Sequence, residues 1–325
     1  MGVLLSIVLT LHNSVDDVTL IRRNIAAMKS SRMELVIIDD GSSDGTQNHL
    51  DGLAALWDRT KILRNTASVG VARARNYALS HVSGEYVWFV DSDDEWNAET
   101  ALKALAKGQG ADVVVARAQI VEGKQTRCLN PPPGRRLYGG SDMFEFLAHG
   151  AIHGYLWDKL FRRSILGKDP FAPLTSQSDF TGVIRVADKC PTLAGVDFLI
   201  YVHRLRRGSI TQSKNPNLDN LVLCFELFQS MHERHNVSKN LVRYFSVWFV
   251  AIPAAFTPSR NGAPRETVVK GIRLAKALLR ITALTSTWRY SKATFVRASI
   301  VRLAGPLVPS FYLTARRIKG VNIDK

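Results

Sequence analysis

Three carboxylates, Asp91, Asp93 and Asp94, directly follow a short apolar segment. That segment, 86–90, consists of aromatic and β-branched residues, a composition typical of a buried central strand. Carboxylates so close together repel one another unless a cation neutralises them. Mg²⁺ and Mn²⁺ prefer such oxygen ligands and can carry substrate phosphates on their open positions. The alternative is a solvated acidic turn that caps the next helix, and the Asp-x-Asp pattern alone does not decide between the two.

The chain around this cluster alternates between short apolar runs and amphipathic stretches. The strands are predicted at 3–10, 34–39, 60–63, 85–90 and 112–116, and the helices at 15–29, 44–57, 69–81 and 98–107. Strands that alternate with helices are joined by right-handed crossovers into a parallel sheet. We therefore predict an α/β fold with a mostly parallel, doubly wound sheet, whose ligand crevice lies at the carboxyl ends of the strands.

Polar residues end three of the predicted strands, at the edge where such a sheet binds its ligand. The first strand ends in Thr10 and His12, the second in Asp39, and the fourth in the acidic cluster. The Asp39 carboxylate begins a tight turn and could accept a hydrogen bond from a base or a ribose. The alternative for this turn is a helix N-cap formed by Ser43 or Asp44.

No glycine-rich phosphate loop accompanies these strand ends in the sequence. A dinucleotide-binding fold requires Gly-x-Gly-x-x-Gly after the first strand, and residues 9–15 contain no glycine. The phosphates of a nucleotide would then be held by the metal and by basic side chains. Arg73 and Arg75, together with Asn76, are candidates on the helix before the acidic cluster, and an ordinary solvated helix face is the alternative.

Four blocks of sequence carry a resemblance to a known family. They are SIVLTLHN (6–13), ELVIIDDGSSDGT (34–46), NTASVGVARARNYAL (65–79) and GEYVWFVDSDD (84–94). In order and spacing they resemble the family 2 glycosyltransferases, which are inverting enzymes of the GT-A fold. The resemblance implies a Rossmann-like sheet that binds a nucleotide-sugar, and an Asp-x-Asp that holds Mn²⁺ or Mg²⁺ against the diphosphate.

The resemblance also implies roles for individual residues. Asp39 would contact the base or the ribose, and Arg75 and Asn76 would line the nucleotide pocket. Asp93 would contact the metal directly. Asp91 would lie nearer the ribose, or would support the metal site without direct contact to the metal. The role of Asp94 stays open.

The first block departs from the family pattern. Thr10 and His12 stand where the family usually has Pro and Tyr, at positions that line the nucleotide. The base-stacking contact is affected by this change, although the imidazole of His12 is also aromatic.

The middle of the chain contains further matches. Trp157 and Lys159 match a family segment on the acceptor side; Trp157 could stack on a sugar, or it could anchor the core. The family commonly supplies the base that deprotonates the acceptor hydroxyl from a Glu-Asp pair. Asp179 matches the Asp of that pair, and Ser178 replaces the Glu. Without the family, Asp179 would be interpreted as a helix N-cap.

The segment 197–213 resembles the family's strand and the arginine-rich loop that follows it. Arg206 and Ser209 would contact the diphosphate, a task that suits the planar guanidinium. His203 stands where a Tyr is usual. The alternative for this loop is a basic surface.

The chain has 325 residues and a net charge of +15, which is concentrated towards its C-terminal end. Residues 1–210 hold 25 Lys and Arg against 23 Asp and Glu, whereas residues 211–325 hold 18 against 5. We predict a GT-A catalytic domain at 1–212, with nucleotide-sugar binding at 1–117 and the acceptor side at 118–212. A basic helical region is predicted at 213–325.

The basic region contains a candidate surface for an anionic membrane. A helix predicted at 265–282 carries one apolar face and a flanking basic face, an arrangement typical of an interfacial helix. The apolar face comprises Val268, Ile272, Ala275 and Leu279, and the basic face comprises Lys270, Arg273, Lys276 and Arg280. A second basic cluster lies at 316–319. The alternatives are a packed helical appendage and a docking surface for a polyanionic acceptor. No nucleic-acid partner is expected, because no such module is recognised.

Cysteine usage and hydrophobicity predict the location of the protein. The three cysteines, Cys128, Cys190 and Cys224, lie far apart, which favours a reducing cytoplasm over a disulfide framework or a zinc site. The start lacks the basic leader of a signal peptide. The apolar run 245–256 is short for a bilayer and contains Pro253. We expect a cytoplasmic protein that is peripheral at the inner face of the membrane.

The sequence thus predicts an inverting, metal-dependent glycosyltransferase. The donor would be a nucleotide-diphosphate sugar, with UDP as the family-level expectation, and the acceptor a hydroxyl of a cell-surface glycan, a glycolipid or a wall polymer. The alternative is a non-catalytic basic protein on a degenerate GT-A scaffold that docks on anionic lipid or polymer. The departures at His12, Ser178 and His203 favour that alternative, and the retained acidic cluster opposes it. Which sugar is transferred, and the oligomeric state, are not specified.

Overall fold

The structure is a computed structural model that describes residues 2–108, 110–132, 137–205 and 213–304. The chain divides into two compact units. The N-terminal unit comprises Met1–Leu147 and Ala151–Arg206, and the C-terminal unit comprises Ala148–Gly150 and Arg207–Lys325. Arg206 and Ser209, the predicted diphosphate ligands, lie outside the described residues, as does the basic cluster at 316–319.

The N-terminal unit is built on one mixed sheet. Its strands are β1 (Leu5–Leu11), β2 (Met33–Asp40), β3 (Thr60–Asn65), β4 (Tyr86–Asp91), β5 (Glu95–Trp96), β6 (Val113–Glu122), β7 (Gln125–Leu129), β8 (Leu137–Gly139), β9 (Lys159–Arg162) and β10 (Thr192–Arg204). The order is β3-β2-β1-β4-β9-β6-β10-β5, with β7 paired to β6 and β8 to β10. Strands β3, β2, β1 and β4 are parallel to their neighbours in that series, and β6 is parallel to β10. Strands β5, β7, β8 and β9 pair antiparallel.

The helices, in chain order, alternate with the strands and then continue without them. They are α1 (Val18–Ala26), α2 (Leu50–Ala54), α3 (Val71–Leu79), α4 (Ala98–Lys107), α5 (Gly140–His149), α6 (Arg163–Leu166), α7 (Ser178–Lys189), α8 (Asp219–Met231), α9 (Lys239–Phe245), α10 (Ile252–Arg260), α11 (Arg265–Leu278), α12 (Ile281–Tyr290) and α13 (Lys292–Ala304). The mostly parallel α/β sheet and the helical C-terminal region match the predicted fold class.

The predicted helix at 44–57 is wrong at its start. Residues Thr46–His49 form a 3-10 turn, and the α-helix begins only at Leu50. The Asp44 carboxylate accepts hydrogen bonds from the Thr46 and Val15 amides, each at 2.9 Å. Side chains that bond to nearby backbone in this way compete with the helix. The N-cap positions are Gly45 for the turn and His49 for the helix, so the alternative of an N-cap by Ser43 or Asp44 is wrong.

Strand β1 lies between β2 and β4 in the parallel part of the sheet, and its register aligns the C-terminal ends of these strands. Its register places Leu11 opposite Asp39 on β2 and Thr10 opposite Asp91 on β4. The interior residues of β1 are fully buried, because helices cover the sheet. Polar residues therefore cluster where these strands end.

The C-terminal unit packs around one long helical stretch, Lys239–Arg260, in which a π-helical segment at Ser246–Ala251 joins α9 to α10. In the described part of the chain this is the stretch whose length and composition would allow a membrane crossing. Most of it is buried inside the unit, with Val247, Ala251 and Ala255 at 0% exposure. The apolar run 245–256, predicted to be too short to span a bilayer, belongs to this longer stretch. Its burial is typical of a core helix.

Three of the four residues on the predicted membrane-facing side of the helix at 265–282 are buried. Ile272, Ala275 and Leu279 are at most 5% exposed, whereas Val268 is partly exposed. Ala275 and Leu279 pack in a core cluster of the C-terminal unit. Gly271 allows this close approach, because a Cβ there would lie 2.0 Å from the Ala254 carbonyl oxygen. The amphipathic pattern was correct, but the apolar face of α11 contacts protein, so the interfacial-helix prediction is wrong for this face.

Candidate active site

Arg75 joins the two carboxylates that the sequence assigned to the donor and the acceptor side. Its Nη2 donates to Asp91 Oδ1 at 2.6 Å, and its Nη1 donates to Asp179 Oδ1 at 2.5 Å. The Arg75 side chain is 5% exposed, whereas those of Asp91 and Asp179 are 30% and 26% exposed. The fold thus brings together residues 104 positions apart, and both carboxylates keep surface on which a ligand can act.

The charges of this cluster affect one another. Burial disfavours the charge on Arg75, but Asp179 and Asp91 outweigh this effect and raise the pKa of Arg75 above its usual value. Burial raises the pKa of Asp179, the charge of Arg75 opposes the rise, and Asp91 adds to it. The net effect is an Asp179 carboxylate that is more basic than an ordinary aspartate, which is the property required of a general base.

Asp179 lies in the first turn of α7, where the sequence alternative was an N-cap. The N-cap position is occupied by Gln177, in a left-handed conformation with φ of 60°. A non-glycine residue in this region carries backbone strain, which is common at functional sites. Ser178, which replaces the family's Glu, lies 3.3 Å from Asp179 Oδ1 through its hydroxyl. The Asp179 side chain therefore contacts Arg75 and Ser178 and does not act as the cap.

Asp40 follows Asp39 at the polar end of β2, and the sequence assigned it no role; it organises the loop that leads into α3. Its carboxylate accepts four hydrogen bonds, at 2.8–2.9 Å, from the Asn65 and Ser68 side chains and the Val69 and Gly70 amides. Burial opposes its charge, but these bonds lower the pKa of Asp40. By holding the start of α3, Asp40 positions Arg75.

Asp94, whose role the sequence left open, is an interior residue that fixes the end of β10. It is 0% exposed, and its carboxylate accepts from the Tyr201 hydroxyl, the His203 Nδ1 and the Arg204 amide, each at 2.8 Å. Burial lowers the pKa of His203, but Asp94 outweighs this effect and raises it. Asp94 therefore binds protein groups, and Asp91 and Asp93 stay the predicted metal ligands.

The first two strand ends place their polar residues as the sequence predicts. Asp39 is 2% exposed, and its Oδ1 accepts from the Ser42 hydroxyl at 2.5 Å. His12 is exposed, and its Nδ1 lies 2.8 Å from the Asp40 carbonyl oxygen, so Nδ1 carries the proton and the ring orientation is fixed. The Thr10 hydroxyl is buried without a hydrogen-bond partner among the described residues. Their contacts with a nucleotide stay predictions.

Trp157 and Lys159, predicted on the acceptor side, are interior residues. Lys159 is 0% exposed and donates to the His153 and Tyr155 carbonyl oxygens, at 2.7 and 2.9 Å. Trp157 is 4% exposed and stacks on Tyr155, with ring centroids 4.5 Å apart. The prediction of direct acceptor contact is corrected accordingly: Trp157 anchors the core, and Lys159 fixes the backbone of 153–155.

Asn76 and Arg73 lie on α3, and their contacts with a nucleotide stay predictions. The Asn76 amide bonds the Phe171 backbone twice, donating to its oxygen at 2.9 Å and accepting from its nitrogen at 3.1 Å. It therefore ties the segment before α7 to α3. Arg73 is exposed on the same helix, as the alternative of a solvated face described.

The carboxylates fit a divalent metal that is shared with substrate. Across the described ranges, no group of three or more His, Cys, Asp or Glu side chains could hold a metal by itself. Mg²⁺ and Mn²⁺ commonly use one or two carboxylates and complete their coordination with water and substrate phosphates. Asp91 and Asp93, both partly exposed at the end of β4, are such a donor set.

Curated relatives of this chain are bacterial glycosyltransferases. The chain is 25% identical over 262 residues to a cholesterol galactosyltransferase of Borreliella burgdorferi, covering 75% of this chain and 72% of that enzyme. It is 35% identical over 95 residues to the E. coli enzyme UDP-Glc:alpha-D-GlcNAc-diphosphoundecaprenol beta-1,3-glucosyltransferase WfgD, covering 29% of this chain and 37% of that one. It is 31% identical over 102 residues to the putative teichuronic acid biosynthesis glycosyltransferase TuaG of Bacillus subtilis, covering 31% of this chain and 40% of TuaG.

Solved structures share the fold. Residues 1–349 of Staphylococcus aureus TarS, in complex with UDP-GlcNAc, superpose with a TM-score of 0.67 at 16% identity, covering 96% of this chain and 92% of that one. A mannosyltransferase of Pyrobaculum calidifontis, in complex with GDP-Man and Mn²⁺, superposes with a TM-score of 0.50 at 17% identity, covering 92% and 86%. The predicted GT-A fold is confirmed. Residues 6–168, half of the chain, match the family described as Glycosyl transferase family 2, and the protein belongs to that family.

Proposed function

We propose that this protein is an inverting, metal-dependent glycosyltransferase that moves a sugar from a UDP-sugar to a hydroxyl of a lipid-linked glycan or wall-polymer acceptor. The bridge from Asp91 through Arg75 to Asp179 is the observation that carries the proposal. It joins the carboxylate predicted beside the donor to the carboxylate predicted to act on the acceptor. A degenerate scaffold would have no need to keep a buried arginine between two partly exposed acids.

The chemistry assigned to Asp179 is proton removal. One of its carboxylate oxygens takes the proton of the acceptor hydroxyl while that oxygen forms a bond to the anomeric carbon. The bond from the anomeric carbon to the diphosphate breaks on the opposite face, so the configuration inverts. A divalent cation held by Asp93 and Asp91 would stabilise the negative charge on the leaving diphosphate.

Arg75 has a positioning role in this scheme. Its two nitrogens fix one oxygen of each carboxylate, which leaves the second oxygen of Asp179 free of Arg75. The guanidinium also keeps the two negative charges close together without repulsion. Lys159, Asn76 and Asp40 hold the surrounding backbone in place, so the proposed reacting groups are held by packed elements.

The acceptor and donor classes rest on the relatives. Those reported above are named for transfer to cholesterol, for glucosylation of a diphosphoundecaprenol-linked sugar and for teichuronic acid biosynthesis. The TarS structure contains UDP-GlcNAc. These names support a UDP-sugar donor and a lipid-linked glycan or wall-polymer acceptor.

A thermal-shift panel of nucleoside diphosphates tests the proposal. With Mn²⁺ present, UDP at a hundredfold excess over its Kd is expected to raise the Tm by about 5 °C, since ligand that binds only the folded state stabilises it. The same nucleotide with EDTA, and Mn²⁺ alone, serve as controls and should shift the Tm much less. If none of the nucleoside diphosphates stabilises the protein in the presence of metal, the degenerate-scaffold alternative is correct.

A further inference from the structure

The last two described helices carry apolar side chains on their outer surface. Ile281 and Trp288 on α12 are 69% and 53% exposed, and Val296, Ile300 and Leu303 on α13 are 53%, 42% and 84% exposed. We call these five residues the α12–α13 face. On α13 they are spaced by four and three positions, so they share one side of the helix.

The opposite side of α13 is also apolar, and it packs against the core of the C-terminal unit. Ala298 and Val301 are 0% exposed and pack in a core cluster with Val247, Ala275 and Leu279. A surface helix in water normally has one apolar and one polar face. A helix that is apolar on its packed side and again on its exposed side has an outer face that water solvates poorly.

Trp288 links the two helices into one surface. Its ring lies 5.0 Å from the Phe295 ring on α13, and the Lys292 ammonium lies 5.5 Å from the centroid of the Trp288 ring. An indole beside a lysine is suited to the boundary between acyl chains and headgroups, where the ring is apolar and the charge meets lipid phosphate.

The charged residues on α12 and α13 are all basic. Between residues 267 and 304 the sequence contains no Asp or Glu, and α12 and α13 carry four basic residues: Arg289, Lys292, Arg297 and Arg302. Arg289 and Lys292 are exposed beside Trp288. A surface that combines exposed large apolar side chains with exposed Lys and Arg complements an anionic lipid bilayer.

We propose that the α12–α13 face docks the protein on the surface of an anionic membrane. Trp288, Ile300 and Leu303 insert between the headgroups, and Arg289 and Lys292 pair with lipid phosphates. This replaces the α11 face, which the sequence favoured and the structure buries. The docking needs neither nucleotide nor metal, so it stands or falls independently of the proposed transfer reaction.

Vesicle sedimentation of the full chain tests the proposal. The wild type is expected to co-sediment with vesicles that contain phosphatidylglycerol, to bind phosphatidylcholine vesicles much less, and to be released as salt is added. Trp288→Ser combined with Leu303→Ser should weaken partitioning by at least about tenfold, because both apolar side chains lose their burial in lipid. Arg289→Gln with Lys292→Gln should remove most of the preference for anionic vesicles.

Leu223→Ser is the matched control, since Leu223 on α8 is 48% exposed but lies outside the α12–α13 face. It should bind vesicles like the wild type. All variants should keep the wild-type Tm and the nucleotide-dependent shift, which separates docking from the catalytic proposal. Wild-type binding by the Trp288→Ser, Leu303→Ser variant would overturn the proposal. Light scattering tests the alternative that two copies contact each other through this face. If the wild type is a dimer and the variant is a monomer with unaltered vesicle binding, the face is such a contact and the proposal is overturned.

Discussion

Replacing Asp179 with Asn is expected to reduce sugar transfer about 10²–10⁴-fold, the usual contribution of a positioned general base. The amide keeps the size of the side chain and can still contact Arg75 through its oxygen, but it cannot accept the acceptor's proton. Nucleotide binding with Mn²⁺ should therefore stay within a few-fold of the wild type. Measurement of kcat alongside the nucleotide-dependent Tm separates the two effects, with Asp188→Asn, at the other end of the same helix α7, as the control.

The pH dependence of the wild type gives the same residue a second test. Burial raises the pKa of Asp179, and the reaction needs its deprotonated form. Activity should therefore fall as the pH drops through a value above the ordinary aspartate pKa, and this acid limb should be absent from the residual activity of Asp179→Asn. A transfer rate that is unchanged in the variant would remove Asp179 from the mechanism.

Replacing Arg75 with Met is expected to abolish transfer and to destabilise the N-terminal unit by about 3 kcal/mol, the cost typical of removing one partner from a buried ion pair. Asp91 and Asp179 would then repel one another with no cation between them. Denaturant unfolding and the transfer assay measure the two effects.

Arg73→Met is the matched control for Arg75, because Arg73 is exposed on the same helix and its loss removes one positive charge without opening the bridge. We expect its stability to stay within about 0.5 kcal/mol of the wild type. Arg75→Lys should restore part of the stability and little of the activity, because an ammonium lacks the planar fork that reaches both carboxylates. Full activity in Arg75→Met would contradict the positioning role of this residue.

The sheet could be predicted because its signal is local. Buried parallel strands are continuous apolar runs, and the five predicted strands all form, although β6 extends to Glu122, beyond its expected end at 116. Strand β9 could not be predicted in the same way. It is four residues long, Lys159–Arg162, and it pairs antiparallel between β4 and β6 by contacts that no sequence periodicity records.

The site was predictable in residue type and less so in the direction of each side chain. Successive residues on a strand point to opposite faces, so Asp39 and Asp40 lie in different surroundings although both follow the same apolar run. The sequence favoured Asp39, whereas Asp40 receives the four loop hydrogen bonds. Similarly, helical spacing revealed the apolar face of α11 but not the protein that covers it, because spacing does not specify what a face contacts.

The central claim is that the acidic end of β4 holds a divalent metal against a nucleotide. Titration of Mn²⁺ in the presence of UDP, followed by electron paramagnetic resonance, tests it most directly. The wild type should bind a single Mn²⁺ per chain. Asp197→Asn is the control, because the Asp197 side chain is 75% exposed, and it should bind Mn²⁺ like the wild type. Asp93→Asn should lose at least about tenfold in Mn²⁺ affinity. Loss of a group that merely orients a metal ligand typically costs about 10–100-fold in affinity, and loss of a direct ligand should cost at least as much. Mn²⁺ binding by Asp93→Asn that equals the wild type would contradict the claim.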